Sequence, residues 1–177
     1  MPTRAQKTAA LVAAAISLAA ARPALAQTRS ARDLFGAYAY VRDYTEDLAL
    51  PAGWVAGGST GLNRWLSIVA EAGGSHRTVR LVGGDVSISQ YSVMAGARAS
   101  LAIGRFVEFV QLVFGPVHAR GNAFGIDTRD THVAGQGGIG LDLALNQKLA
   151  VRVQLDVREL RTSHQFRTIA GIVYASR

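Results

Sequence analysis

Residues 149–158 alternate without a break. Leu149, Val151, Val153, Leu155 and Val157 fall on one side of an extended chain, and Ala150, Arg152, Gln154, Asp156 and Arg158 on the other. A period of two is the strand period, because successive side chains point to opposite faces of a pleated backbone. A strand with one wholly apolar face needs a nonaqueous partner for it, either a protein core or lipid. The pattern recurs at 88–102, where Tyr91, Val93, Ala95, Ala97, Ala99 and Leu101 oppose Gln90, Ser92, Met94, Gly96, Arg98 and Ser100. It recurs again at 133–145, where Ile139, Leu141, Leu143 and Leu145 oppose Gln136, Gly138, Gly140 and Asp142. Further strands are predicted at 34–42, 53–62, 65–73, 106–117 and 166–174, which makes eight.

The connections alternate in length. Asn63-Arg64, Ile103-Gly104-Arg105 and Asn146-Gln147-Lys148 are tight, whereas 43–52, 74–87 and 119–131 are longer and more polar, with a shorter link at 161–165. Tight turns at one end and longer loops at the other are the habit of an up-and-down membrane barrel, and a Greek-key sandwich has no reason to keep that order. The expected fold is all-β, an eight-stranded antiparallel up-and-down transmembrane β-barrel. Nineteen Gly, none of them in the first 26 residues, suit the close backbone approaches of such a fold.

The amino terminus reads as an export signal. Arg4 and Lys7 are followed by an apolar run to Ala21, then Arg22-Pro23 and the small-residue site Ala24-Leu25-Ala26. Cleavage is expected between Ala26 and Gln27, leaving residues 27–177 as one barrel domain. The run is too short to span a bilayer, which takes ~20 residues. Loss of Arg4, Lys7 and Arg22 lowers the formal charge from +7 to +4. The remaining basic residues are dispersed, without the basic patch that nucleic-acid binding requires. The chain has no Cys, which excludes disulfides, thiolate metal sites and Cys nucleophiles.

Periodicity alone fits two barrels of opposite polarity. In a soluble, lipocalin-like periplasmic barrel, Val151, Val153 and Leu155 would line an apolar ligand pocket and Arg152 and Asp156 would meet water. In a membrane barrel the faces invert, and the charges must neutralise one another in a lumen that eight strands leave just wide enough for side chains. The export signal, the loop asymmetry and the small size favour lipid.

Several segments resemble the small bacterial outer-membrane β-barrel proteins of the porin superfamily, the OmpA-like transmembrane domain and acidobacterial-type barrels in particular. The carriers are Phe35-Gly36-Ala37-Tyr38-Ala39-Tyr40-Val41-Arg42, Gly53-Trp54, Gly61-Leu62-Asn63-Arg64-Trp65-Leu66, Phe114-Gly115, Gly137-Gly138-Ile139-Gly140-Leu141-Asp142, Leu149-Ala150-Val151-Arg152, Phe166-Arg167 and Ile169-Ala170-Gly171-Ile172-Val173-Tyr174. The resemblance implies insertion in a Gram-negative outer membrane, contact with its lipids and lipopolysaccharide, passage through the barrel assembly machinery, and a structural or surface-interaction role. Such barrels usually end on an aromatic residue; here Ala175-Ser176-Arg177 follow Tyr174.

If the faces invert, a lumen network of Arg42, Glu71, Arg98, Asp142, Arg152, Asp156, Arg158 and Arg167 is expected, either as a structural plug or as a narrow ion path. A three-residue turn at 146–148 would pair Leu145 with Leu149, Asp142 with Arg152, and Gln136 with Arg158. His76, His118, His132 and His164 map to the long-loop end, and none has a close metal-ligand spacing. A lipid A-modifying activity would need a Ser activated by His, and no His-x-Ser pair occurs. No catalytic residue, metal or cofactor is expected. Trp65, Phe106 and Tyr174 cluster near the short turns, where an interfacial girdle would sit.

Overall fold

A computed structural model describes residues 32–44, 48–81, 84–123, 126–160 and 163–176; the stretch expected to be an export signal lies outside them. The strands are β1 (Arg32–Asp43), β2 (Leu48–Leu50), β3 (Ala52–Gly61), β4 (Leu66–Leu81), β5 (Gly84–Ile103), β6 (Phe106–Ala123), β7 (Ile126–Ala144), β8 (Leu149–Glu159) and β9 (His164–Ser176). Each pairs antiparallel with its neighbour, and β9 pairs back onto β1 from Arg32↔Ser176 to Asp43↔Gln165, which closes the sheet. The short β2 is not a separate stave. It continues β3 across Pro51, where the register on β1 slips by one residue, from Tyr38↔Trp54 to Val41↔Leu50. Proline has no N–H for the ladder, so a bulge absorbs it. The Tyr38 hydroxyl donates to the Pro51 carbonyl at that break. The barrel therefore has eight staves.

Two of the tight turns are built identically. In Leu62-Asn63-Arg64-Trp65-Leu66, Asn63 Oδ1 accepts from the N–H groups of Trp65 (2.8 Å) and Leu66 (2.9 Å). In Leu145-Asn146-Gln147-Lys148-Leu149, Asn146 Oδ1 accepts from Lys148 (2.8 Å) and Leu149 (2.9 Å). The side-chain carbonyl mimics a backbone acceptor, which is why Asn is favoured there. The third turn uses Gly104 at φ +59°, a left-handed conformation that glycine adopts without a Cβ clash.

The longer connections differ from the sequence reading. Within the segments expected as loops, 74–81, 84–87, 119–123 and 126–131 are strand: pairing runs on to Leu81↔Gly84 and to Ala123↔Ile126. β4 to β7 are 16, 20, 18 and 19 residues long, against 12, 10, 11 and 13 for β1, β3, β8 and β9. Half of the wall thus stands well above the other half.

The faces settle the polarity. Val151, Val153 and Leu155 are 38, 51 and 39% exposed, while Arg152 and Asp156 are fully buried. The soluble alternative required the reverse and is excluded: an apolar exterior this continuous, with Leu34, Ile68, Val93, Leu112, Ile139 and Ile172 also outward, needs lipid around it. Tyr38, Trp54, Tyr91 and Phe114 stand outward towards the long-strand end and Trp65, Phe106 and Tyr174 at the short-turn end, so the band has aromatics at both margins. Closure leaves no strand edge within that band.

Candidate functional site in the barrel lumen

Parity selects the side chains that fill the lumen. On β8 the even residues Arg152, Gln154, Asp156 and Arg158 turn inward, and on β9 the odd residues Gln165, Arg167, Ile169 and Val173. Glu71 comes from β4, Ser92, Met94 and Arg98 from β5, Phe109, Gln111 and Val113 from β6, and Gln136 and Asp142 from β7. The register at the 146–148 turn is Asp142↔Arg152 and Gln136↔Arg158, as its length dictates.

Towards the short-turn end two guanidiniums are held by aromatic faces. Arg152 donates from Nε to Asp142 Oδ1 (2.7 Å) and from Nη2 to Asp142 Oδ2 (2.8 Å), the bidentate fork that suits a carboxylate. Its guanidinium carbon lies 4.6 Å from the centre of the Phe35 ring and 4.7 Å from that of Phe109. Arg98 lies 4.5 Å from the Phe109 ring, donates from Nε and Nη2 to Gln111 Oε1 (3.1 and 2.8 Å), and has Asp33 Oδ1 at 3.9 Å. Ser59 Oγ donates to Asp33 Oδ2 at 2.6 Å.

Both aromatic rings lie over glycines. Phe109 is opposite Gly140 and Phe35 opposite Gly57; a Cβ at Gly140 would meet the Phe109 ring at 2.2 Å, and one at Gly57 the Phe35 ring at 2.8 Å. Outside, Phe114 covers Gly135 and Trp54 covers Gly74 in the same way. Four of the glycines thus leave space for a cross-strand ring.

Further up, the charges share partners. Arg167 donates to Glu71 Oε1 and, from Nε, to Asp156 Oδ2 (2.9 Å). Glu71 also accepts from Gln136 Nε2 (3.1 Å) and Gln111 Nε2 (3.3 Å), and Asp156 from Gln154 Nε2 (2.8 Å). Gln111 therefore ties the lower group to the upper one. Among the described residues Arg158 has only neutral acceptors, Gln136 Oε1 at 3.1 Å and Ser92 Oγ at 3.2 Å. The apolar clusters Val69-Met94-Val113-Val117-Ala134-Leu160 and Phe35-Ala39-Val55-Ile169-Val173 take up the remaining space.

Seven of the eight lumen residues expected from the sequence are inside: Glu71, Arg98, Asp142, Arg152, Asp156, Arg158 and Arg167. Arg42 is not. It is exposed on the outer face of β1, over the Tyr44 ring at 5.5 Å, because Phe35, Ala39 and Val41 take the inward parity. Asp33 and Asp43 are the inward charges of that strand. Gln111 and Gln154 lie outside the charged set expected from the sequence, which names Gln136 only as the partner of Arg158; Gln154 shares the parity of Arg152 and Arg158, and Gln111 lies in register with Arg98.

The histidines are dispersed. His76 contacts Ser89 Oγ (2.9 Å) and Thr78 Oγ1 (3.0 Å), His118 contacts Thr131 Oγ1 (2.7 Å), and His132 has Asp130 Oδ2 at 3.3 Å. Among the described residues no three His, Cys, Asp or Glu side chains gather where they could hold a metal ion.

A closed antiparallel barrel that is apolar outside and filled with paired charges inside defines a small outer-membrane β-barrel. The chain belongs to the family described as outer membrane protein beta-barrel domain, whose model matches residues 8–168. It is an outer-membrane protein. Its fold is similar to Ail, the attachment invasion locus protein of Yersinia pestis (TM-score 0.59, 15% identity, covering 82% of this chain and 96% of that one). It is also similar to Neisserial surface protein A (TM-score 0.64, 11% identity, 82% and 96%) and to OprG from Pseudomonas aeruginosa (TM-score 0.64, 9% identity, 85% and 97%). No curated protein matches the chain.

Proposed function

We propose that this protein is a non-conducting envelope barrel whose lumen is a structural plug and whose work is surface contact through the tall β4–β7 wall. The observation that carries the reading is the linkage through the lumen: Asp142–Arg152 packs on the rings shared with Arg98, Arg98 joins Gln111, and Gln111 joins the Glu71–Arg167–Asp156 group. An ion would have to break charge-assisted bonds between buried partners to pass, and each such partner is costly to leave alone. The role is taken as non-enzymatic, since the charged side chains of the lumen are engaged with one another.

Planar-bilayer recording of the refolded protein tests this. Wild type is expected to give at most rare, small openings, and Glu71→Ala, which leaves Arg167 without its nearest acceptor, is expected to raise their frequency. Steady, long-lived channels in the wild type would overturn the plug. Export with cleavage at Ala26/Gln27 and insertion by the barrel assembly machinery belong to the same reading; the mass of the protein recovered from outer membranes tests the cut.

A further inference from the structure

One row of the sheet crosses β4 to β7 as His76↔Ser89, Ser89↔Arg120 and Arg120↔Arg129. The register of these strands runs without a slip from the apolar band to the hairpin tips, so parity places all four side chains on the outward face, with Tyr91, Phe114 and Val133. Arg120 and Arg129 are directly opposed and exposed, and like charges in that relation repel. Neither guanidinium has a hydrogen-bond or ion-pair partner among the described residues, whereas the lumen guanidiniums are bonded. The carboxylate on this face of the hairpin is Asp127, one step nearer the tip, and its Oδ1 is taken by Asn122 Nδ2 at 2.6 Å. Arg80 and Asp85 oppose each other near the tip of the β4–β5 hairpin. Asp130 has the opposite parity and sits with His132.

Height supplies the second argument. Arg120 is six residues beyond Phe114, about 20 Å along the strand and about 15 Å along a tilted barrel axis. It therefore stands above the lipid tails, at the level of headgroups and their sugars. The row beneath it offers the exposed ring of Tyr91 opposite His118, whose imidazole is bonded to Thr131. A flat aromatic with hydroxyl and imidazole groups suits a sugar, and two adjacent guanidiniums suit a phosphate.

We infer that the Arg120–Arg129 pair, with Tyr91, His118 and Thr131 below it, binds a phosphorylated saccharide of an outer-leaflet glycolipid. The inference rests on the outer-membrane placement and gives it a residue-level contact. The four strands of the row span about 14 Å, enough for more than one sugar.

The test uses the full mature protein refolded in detergent, titrated with lipopolysaccharide truncated to its phosphorylated inner core. Chemically dephosphorylated lipopolysaccharide, phosphatidylglycerol micelles and inorganic phosphate are run in parallel. The combined variant Arg120→Gln/Arg129→Gln is expected to weaken binding of the phosphorylated form roughly tenfold or more. Arg64→Gln/Lys148→Gln, at the opposite rim, is expected to change it less than about twofold. Dephosphorylation of the glycolipid is expected to match the arginine variant, and Tyr91→Ala to weaken both glycolipid forms. Equal binding by the arginine variant overturns the site. Equal binding of phosphatidylglycerol makes it a general anionic surface, and competition by inorganic phosphate at glycolipid concentrations makes it an isolated phosphate site; either result overturns the saccharide assignment. The compact band of unboiled protein is scored alongside. If it persists without specific binding, the inference fails and the membrane barrel stands; if it is absent from the wild type, the barrel reading fails as well.

Discussion

The two ends of the lumen bury arginine differently. At the short-turn end Arg152 and Arg98 lie over the same Phe109 ring, and each adds a small polar set, Asp142 for one and Gln111 with Asp33 for the other. In the middle no ring is present; Arg167 bridges Glu71 and Asp156, and glutamines complete both carboxylates. A guanidinium can be desolvated against a π face because its charge is spread over a plane, whereas a carboxylate needs donors. The aromatic end should therefore tolerate loss of a carboxylate better than the middle, where every partner is shared.

The largest effect is expected for Glu71→Ala. It removes an acceptor used by Arg167, Gln136 and Gln111 at once and leaves a buried cation leaning on Asp156 alone. A loss of about 3–5 kcal/mol is expected, read as the fall in the urea midpoint at which the compact gel band disappears. Asp142→Asn keeps the shape of the bidentate partner and leaves both rings, so about 1.5–3 kcal/mol is expected in the same assay. If Asp142→Asn costs as much as Glu71→Ala, the rings do not compensate and the contrast between the two ends fails. Gly140→Ala sharpens it from the other side. The new methyl collides with the Phe109 ring and tilts it off both guanidiniums, for about 1–3 kcal/mol. Combining it with Asp142→Asn should cost more than the sum of the two, because each change removes what the other leaves.

The sequence was most legible where lipid presses on one face. β8 carries Val and Leu outward and Arg, Gln and Asp inward, so its strand, parity and register could all be read, and the three-residue turn then fixed Asp142 on Arg152. Legibility failed where that pressure stops. Beyond the band both faces of β4 to β7 are wet, so alternation fades in Ser75-His76-Arg77-Thr78 and Asp127-Thr128-Arg129-Asp130, although the backbone ladder continues unbroken. Arg42 was misplaced for the same reason: near the outer rim a charge no longer marks the lumen, and β1 carries apolar residues on both faces, Leu34 and Tyr38 outward, Phe35 and Val41 inward. The sharing of partners was out of reach, since Glu71, Gln136 and Arg167 come from strands that are not neighbours in the sheet.

The smallest effect is expected at Arg158, and it tests the comparison most finely. Arg158 lies in neither arrangement: among the described residues it has no ring and no carboxylate within hydrogen-bonding distance, only Gln136 Oε1 and Ser92 Oγ, yet it is almost wholly buried. Its charge is balanced only at longer range, by the surplus carboxylate of the Glu71–Arg167–Asp156 group. Arg158→Met removes a cation that pays its desolvation with two neutral bonds, fills much of the same volume, and leaves two weak polar groups to reorganise. A change within about 1 kcal/mol of wild type is expected in the urea assay, because exchanging a poorly compensated buried charge for an apolar side chain is often neutral. The remaining carboxylate pair then holds one more negative charge than positive, so the cost of Arg158→Met should grow as ionic strength falls. A loss as large as that of Glu71→Ala would mean that long-range neutralisation, rather than direct bonding, holds the middle of the lumen, and the two ends would differ in geometry without differing in physics.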